Sequence, residues 1–216
     1  MRKGEAMNNM QSAAGTKSAS MVRTRKMVMV GMLGAISTIL MYFDFPVPLA
    51  PGFIKMDFSE LPVIIGGFLL GPVSGAAVAF LKVLLRFILK GTDTMGVGEF
   101  SNLLGSLAYV LPAALFYKHL KTRRSAEYGL LAGTVTTSIV MVLANAAFVF
   151  PLYIKLFGMT ADAIVKMGSA VNPLVNNMFT LMVFSILPFN LFKYGVISIL
   201  TLLVYKKISR AYKSFK

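Results

Sequence analysis

The chain has 216 residues, of which 56% are hydrophobic, and its mean hydropathy is +0.73. Soluble domains contain about 45–50% apolar residues, so this composition excludes an ordinary soluble protein. The net charge of +14 would indicate nucleic-acid binding in a soluble protein. Here most lysines and arginines lie at the ends of apolar stretches, as charges that set membrane topology do. Cysteine is absent, which excludes disulfides and thiolate metal sites.

The chain is long enough for about six membrane helices, each of which needs roughly 20 apolar residues. Residues 1–22 are polar and predict a disordered cytoplasmic tail, ahead of a membrane domain at residues 23–216. The predicted transmembrane helices cover residues 27–43, 58–70, 73–89, 99–117, 128–150 and 184–205. The sequence therefore predicts an all-α membrane protein with six transmembrane helices.

Proline and glycine mark the ends of these helices. Residues 44–52 contain three prolines and a glycine and predict a first loop. Pro151 is expected to stop the fifth helix. Between helices five and six, residues 157–170 predict a short amphipathic helix at the membrane interface, with Thr160 as its N-cap. Pro188 should kink or interrupt the last apolar stretch.

Basic residues fall on one side of the membrane only if the number of spans is six. They precede helix one, join helices four and five, and follow helix six. The positive-inside rule makes that side the cytoplasm and places both termini there. The opposite side then receives the acidic residues Asp44, Asp57, Glu60, Asp93 and Glu99.

Polar residues inside a membrane are costly and usually functional. Counting a rise of about 1.5 Å per residue places most of those in the predicted helices in one outer layer. This layer contains Arg86, Lys90, Glu99, Asn102, Asn145, Asn190 and Lys193, whereas Lys82 falls at mid-depth. Such a layer predicts a pocket that opens outward beneath the first loop, with a few hydrogen-bonding groups in mostly apolar walls.

Structural roles remain open for several of these residues. Lys193 could extend its side chain to the outer surface, and Asn145 could join two helices by a hydrogen bond. Ion pairs with Asp57, Glu60 or Glu99 could account for Lys82, Arg86 and Lys90. Phe53 in the first loop could be an ordinary aromatic residue of the membrane interface.

Several motifs are absent from the sequence. It contains no P-loop, so it does not predict an ATP site of that kind. It places no carboxylate deep in a predicted span, which disfavours a proton-coupled carrier. It shows no pairing of a nucleophile with a base, so an enzyme is not expected.

Two stretches of the chain resemble a known family. The segment PGFIKMDFSELP at residues 51–62, followed by Gly66, Gly67 and LGP at residues 70–72, resembles the S components of energy-coupling factor (ECF) transporters. The segment KGTDTMGVGEFSN at residues 90–102 resembles their riboflavin-specific branch. The resemblance implies an ECF S-component-like fold, in which six helices capture one vitamin molecule from outside under a first-loop lid.

The resemblance also implies partners and site residues. In the family, the S component docks on a transmembrane coupling subunit (EcfT) that carries two cytoplasmic ATPases. The docking motif of small residues matches Gly31 and Ala35, and the riboflavin contacts match Asn145, Asn190 and Lys193. Amide and ammonium groups of this kind can pair with the imide edge of a flavin.

The sequence thus predicts a riboflavin-binding S component in the bacterial cell membrane, with riboflavin as ligand and no cofactor, metal or nucleic acid. An S component for another small molecule and an autonomous carrier remain open as alternatives. The candidate ligand-binding residues are Asn145, Asn190, Lys193, Gly105, Phe53, Asn102 and Lys82.

Overall fold

The computed structural model describes the backbone of residues 2–52 and 54–214, and side chains mainly between residues 21 and 205. Phe53, a candidate ligand-binding residue, lies outside the described residues. Helices make up most of the described chain, joined by two short antiparallel strands and two π-helical turns. The helices are α1 (Arg2–Tyr42), α2 (Glu60–Leu70), α3 (Pro72–Lys90), α4 (Val97–Leu120), α5 (Arg123–Ala144), α6 (Phe150–Phe157), α7 (Ala161–Ser169), α8 (Met178–Leu181) and α9 (Leu187–Ser214).

The strands and π-turns join particular helices. Strands β1 (Phe45–Pro46) and β2 (Lys55–Met56) form a small hairpin between α1 and α2. One π-turn, Asn145–Val149, joins α5 to α6, and the other, Met182–Ile186, joins α8 to α9. Because the π-turns continue the helical path, α5 with α6 and α8 with α9 form two long composite helices.

Five segments of the described chain are long and apolar enough to cross a membrane. They are Met21–Tyr42, Pro72–Lys90, Val97–Leu120, Arg123–Phe157 and Met178–Tyr205. Helix α2 is apolar but has only 11 residues, a length of about 16 Å, roughly half of a ~30 Å hydrocarbon core. The predicted count of six membrane-crossing helices is therefore not confirmed at α2.

Helix α2 lies beside one half of α3. Its last residue is joined through Gly71 to Pro72, the first residue of α3. Its first residue, Glu60, is paired with Lys82, about midway along α3. We call the end of the bundle where Gly71 lies the basic end, because Arg25 and Lys118 are close to it. Beside the other half of α3, the segment at residues 43–59 takes the place of a helix.

The packing of α2 and α3 depends on two glycines that face each other. A Cβ on Gly75 would lie 2.6 Å from Cγ2 of Val110 and 2.8 Å from the Cα of Gly67. Backbone atoms cannot move aside as a side chain can. This approach places the apolar face of α2 against α4, where Phe68 stacks on Tyr117 with ring centroids 4.3 Å apart.

Some predicted boundaries differ from the structure. Helix α1 begins at Arg2 rather than near Met27, so the backbone of residues 2–22 is helical where disorder is predicted; no proline interrupts this stretch. The division into a tail at 1–22 and a membrane domain at 23–216 stays a prediction.

The two prolines of the second half of the chain act differently from each other. Pro151 does not stop the fifth helix, because the helical path continues through the π-turn into α6, whose first turn contains Pro151. Before Pro188 the regular helix is interrupted by the second π-turn, as expected. The predicted amphipathic helix corresponds to α7, and the side chain of Thr160 accepts a hydrogen bond from the backbone of Ala163, which confirms the N-cap.

We predict that Gly75→Ala destabilises the protein by about 1–3 kcal/mol, because the added methyl group overpacks a contact with backbone. Gly195→Ala is the matched control, since a Cβ there meets no atom within 4 Å. Thermal melts followed by circular dichroism in detergent should show a lower Tm for Gly75→Ala alone. Equal Tm values for the two variants would contradict the packing described.

Candidate functional site

A cavity of about 360 Å³ lies away from the basic end of the bundle. Its walls come from the segment at residues 43–59 and from α3, α4, the α5–α6 composite helix and α9. The volume falls within the range of about 300–1,000 Å³ that is usual for small-molecule sites. The apolar part of the wall consists of Ile54, Met141, Val149, Ile186 and Phe189.

Two asparagines of the cavity wall are held next to the π-turns. Asn145 begins the first π-turn and donates through Nδ2 to the carbonyl of Met141 at 2.7 Å. Asn190 donates through Nδ2 to the carbonyl of Ile186, the last residue of the second π-turn, at 2.8 Å. These bonds orient both amides and leave Oδ1 and the second N–H of each for a ligand. π-Turns inside helices are frequent at functional sites.

Lys193 lies three residues beyond Asn190 on the same face of α9 and also lines the cavity. Asn145, Asn190 and Lys193 are only 5%, 5% and 6% exposed. The ammonium group of Lys193 donates to Oδ2 of Asp57 at 3.2 Å. The structure therefore brings together the three residues that the sequence places in one layer, and it adds Asp57 beside them.

Asp57 is a buried carboxylate in the loop before α2. The ammonium group of Lys193 and hydrogen bonds from Ser59 compensate its charge. One of these bonds joins the Ser59 amide to Oδ1 at 2.7 Å. Asp57 is thus held beside Lys193 by an ion pair and by a hydrogen bond from the backbone of Ser59.

A second ion pair lies below the cavity. The ammonium group of Lys82 donates to Oε1 of Glu60 at 2.6 Å and to Oγ of Ser59 at 2.9 Å. Ser106 on α4 donates to the same Oε1 at 2.7 Å. The Ser59 carbonyl in turn accepts a hydrogen bond from Ser37 on α1. The cluster therefore ties α1, α2, α3 and α4 together at one depth.

Lys82 has the structural role that the sequence left open. It is fully buried in its pair with Glu60 and is not part of the cavity wall. The sequence assigned Asp57 and Glu60 to the side opposite the basic clusters, and it did not predict that both are buried. Net charge counts cannot separate an exposed carboxylate from a buried one that has a partner.

Two further candidates relate differently to the cavity. Asn102 lines it, and its Oδ1 is buried with no hydrogen-bond partner among the described residues. Gly105 is not in the wall; a Cβ there would lie 2.6 Å from the hydroxyl oxygen of Tyr194. Gly105 therefore makes room for Tyr194, which does line the cavity.

Charged residues line the mouth of the cavity. Asp44 pairs with Lys55 at 3.1 Å and with Arg86 at 3.3 Å, so it joins the hairpin to α3. Tyr153 of α6 also reaches the cavity. Sequence reasoning missed Tyr153, because the helix was expected to end at Pro151.

The segment at residues 43–59 packs on the part of α9 that is distant from the basic end. Its residues Ala50 and Met56 form an apolar cluster with Phe189. The hydroxyl of Ser185 donates to the carbonyl of Leu49 at 2.6 Å. The loop thus lies against the helix that carries Asn190.

Comparisons with known proteins agree with this geometry. The family model "ECF transporter, substrate-specific component" matches residues 25–205. The riboflavin transporter RibU of Staphylococcus aureus (strain TCH60) is 32% identical over 199 residues, which are 92% of this chain and 98% of that protein. The riboflavin transporter FmnP of Bacillus subtilis (strain 168) is 32% identical over 190 residues, 87% of this chain and 93% of that protein.

A solved structure is also similar to this chain. It is the S component of a bacterial ECF transporter, with a TM-score of 0.68 and 29% sequence identity. The match covers 87% of this chain and 97% of the solved one. The similarity therefore extends over nearly the whole fold, including the helices that form the cavity.

We predict that Lys82→Met lowers stability by about 3–5 kcal/mol, because it leaves the Glu60 charge buried without its partner. The double variant Glu60→Gln/Lys82→Met should recover much of that loss, since neither charge then remains. Circular dichroism melts in detergent measure both.

Arg123→Gln is the control for this prediction. It removes an exposed i,i+4 pair with Glu127, and such pairs contribute less than about 1 kcal/mol. If Lys82→Met melts no lower than Arg123→Gln, the buried pair does not hold the fold as described.

Proposed function

Because the chain belongs to the substrate-specific components of ECF transporters, we propose that it captures riboflavin as the substrate-binding subunit of such an importer. The observation that carries the proposal is the convergence of Asn145, Asn190 and Lys193 on one cavity. The relatives named above are riboflavin transporters, which supports this ligand over another small molecule.

The cavity wall suits the chemistry of a flavin. The imide edge of an isoalloxazine ring offers two carbonyl oxygens and an N–H, and an asparagine amide can both donate to and accept from such an edge. The apolar side of the ring can lie against Ile186 and Phe189. The unpartnered Oδ1 of Asn102 is an acceptor suited to a ribityl hydroxyl group.

Lys193 can contact a ligand while it keeps its ion pair. An ammonium group has three N–H donors, of which one is directed at Asp57. The other two can reach a flavin carbonyl or ring nitrogen. The Asp57 charge holds the ammonium group in place and compensates it, so the cavity can accept a neutral ligand without an unpaired buried charge.

The proposed partners are the coupling subunit EcfT and two cytoplasmic ATPases, which supply the energy for import. Gly31 and Ala35 lie on an exposed face of α1, and a Cβ on Gly31 would meet no atom within 4 Å. This face is therefore open for close approach by a helix of another subunit. The chain itself acts in binding and not as an enzyme.

The proposed topology places the basic end in the cytoplasm of a bacterial cell, with both termini, and the cavity on the outside. The positive-inside rule supports this orientation. In this orientation, α2 and the segment at residues 43–59 together take the place of the predicted second transmembrane helix. The segment at residues 43–59 acts as the lid. An autonomous carrier is the alternative, and transport by the chain alone in liposomes would favour it.

We predict that the purified chain binds riboflavin and quenches its fluorescence. Asn145→Ala and Asn190→Ala should each weaken binding by about ten- to a hundredfold, because each leaves a polar group of the bound ligand unpaired. Fluorescence titration measures the affinity. Asn176→Ala is the control, since Asn176 is exposed and outside the cavity wall.

Lys193→Met should also weaken binding, but it leaves Asp57 unpaired and can affect folding. The double variant Asp57→Asn/Lys193→Met removes both charges, and a circular dichroism melt shows whether it is folded. Unchanged riboflavin affinity in this folded variant and in both asparagine variants would overturn the assignment of the site.

A further inference from the structure

A second cavity, of about 280 Å³, lies at the basic end of the bundle. We call it the basic recess. Its floor consists of residues 67–71, which are the last residues of α2 and its C-cap Gly71. Val22 on α1 also lines it, and four cationic residues surround it. They are Arg25, Lys26, Lys118 and Lys121. No acidic residue is among the described residues that line it.

The recess exists because α1 and α4 extend past the end of α2. Leu33 on α1 lies against Gly66 on α2. From that level Arg25 is eight residues away along α1, about 12 Å, whereas α2 ends five residues away at Gly71, about 7.5 Å. The neighbouring helices thus carry their basic residues beyond α2, with an apolar floor between them.

Three of the four cations of the recess have no acidic partner among the described residues. Arg25, Lys26 and Lys118 are exposed, and none forms an ion pair with a described carboxylate. By contrast, six described basic residues elsewhere do so, and one of them, Arg123 on the same surface, pairs with Glu127. Cations without an acidic partner, gathered around one recess, attract an anionic group.

The surroundings of the recess are those of a membrane surface. Exposed apolar side chains lie at the same level on α1 and α4, among them Met21, Val22, Phe116 and Leu120. Side chains of this kind face acyl chains, so the boundary between hydrocarbon and headgroups runs close to the rim. Basic pockets between helices at this boundary bind anionic lipid headgroups.

We propose that the basic recess binds one anionic phospholipid of the adjacent leaflet, with the phosphate among the four cations and the glycerol and upper acyl region on the apolar floor. A free phosphate ion could use the cations but would gain nothing from residues 67–71. This inference is independent of the riboflavin site, which lies at the other end of the bundle.

The test measures phospholipid binding to the full chain in detergent by native mass spectrometry. We expect one dioleoyl phosphatidylglycerol to bind more tightly than dioleoyl phosphatidylcholine. The variant Arg25→Gln/Lys118→Gln should weaken phosphatidylglycerol binding by about tenfold or more, since each basic residue near an anionic lipid strengthens binding about fivefold. Millimolar inorganic phosphate should not displace the lipid.

The matched control is Arg23→Gln/Arg124→Gln, which removes the same charge from the same surface outside the recess. It should bind phosphatidylglycerol nearly as the unaltered chain does. Riboflavin titration of both variants reports whether each is folded, and it keeps a failure here separate from a failure of the proposed function.

Three outcomes would overturn the proposal. The first is equal weakening in both double variants, which would indicate general attraction to the basic surface. The second is displacement of the lipid by inorganic phosphate, which would make the recess a phosphate site. The third is unchanged phosphatidylglycerol binding by Arg25→Gln/Lys118→Gln; if co-purification of the coupling subunit is lost at the same time, the recess is a protein interface.

Discussion

Two buried ion pairs that share Ser59 determine how the rest of the molecule is arranged. Asp57 pairs with Lys193, and Glu60 pairs with Lys82. Each charge would be very costly to bury alone, so the four can occupy the interior only as matched pairs with additional hydrogen bonds. The pairs therefore fix the start of α2 about midway along α3.

This position of α2 accounts for the cavity. A helix of 11 residues that starts at mid-depth fills only the basic half of the space beside α3. The first loop must descend to reach that start, and it brings Asp57 into the wall with it. The space between the loop and α9 is the cavity, so the pairs that anchor α2 also place Lys193 where a ligand can reach it.

The same short helix relates the two ends of the bundle. At one end it leaves room for a ligand cavity, and at the other it ends before α1 and α4 do, which leaves the basic recess. The two cavities differ in charge. The first contains both acidic and basic residues, whereas the described lining of the second contains only basic ones. They are therefore suited to different ligands.

Much of this arrangement could be predicted from the sequence, because hydrophobic stretches and prolines indicate where helices lie. The depth of Asn145, Asn190 and Lys193 follows from residue counts along separate helices, and the structure places all three in one cavity. The membership of the ECF family was predicted from the segments at residues 51–62 and 90–102, and the comparisons confirm it.

The remaining features depend on contacts between distant parts of the chain. The burial of Glu60 requires Lys82, 22 residues further along. The sequence offers Glu60 as one of three possible acidic partners, but no local pattern selects that pair. The π-turn before Pro151 has no local signal either, so Tyr153 could not be assigned to the cavity. The sequence indicates that α2 is short. That the first loop must therefore descend into the bundle is visible only once the start of α2 is located beside α3.

The most direct test of the account is an experimental structure of the chain with riboflavin bound. The account predicts the flavin ring between the α5–α6 composite helix and α9, with its imide edge about 3 Å from side-chain atoms of Asn145, Asn190 and Lys193. It also predicts that Asp57 still contacts Lys193 in that state. A flavin bound elsewhere, or these three side chains directed into lipid, would contradict it.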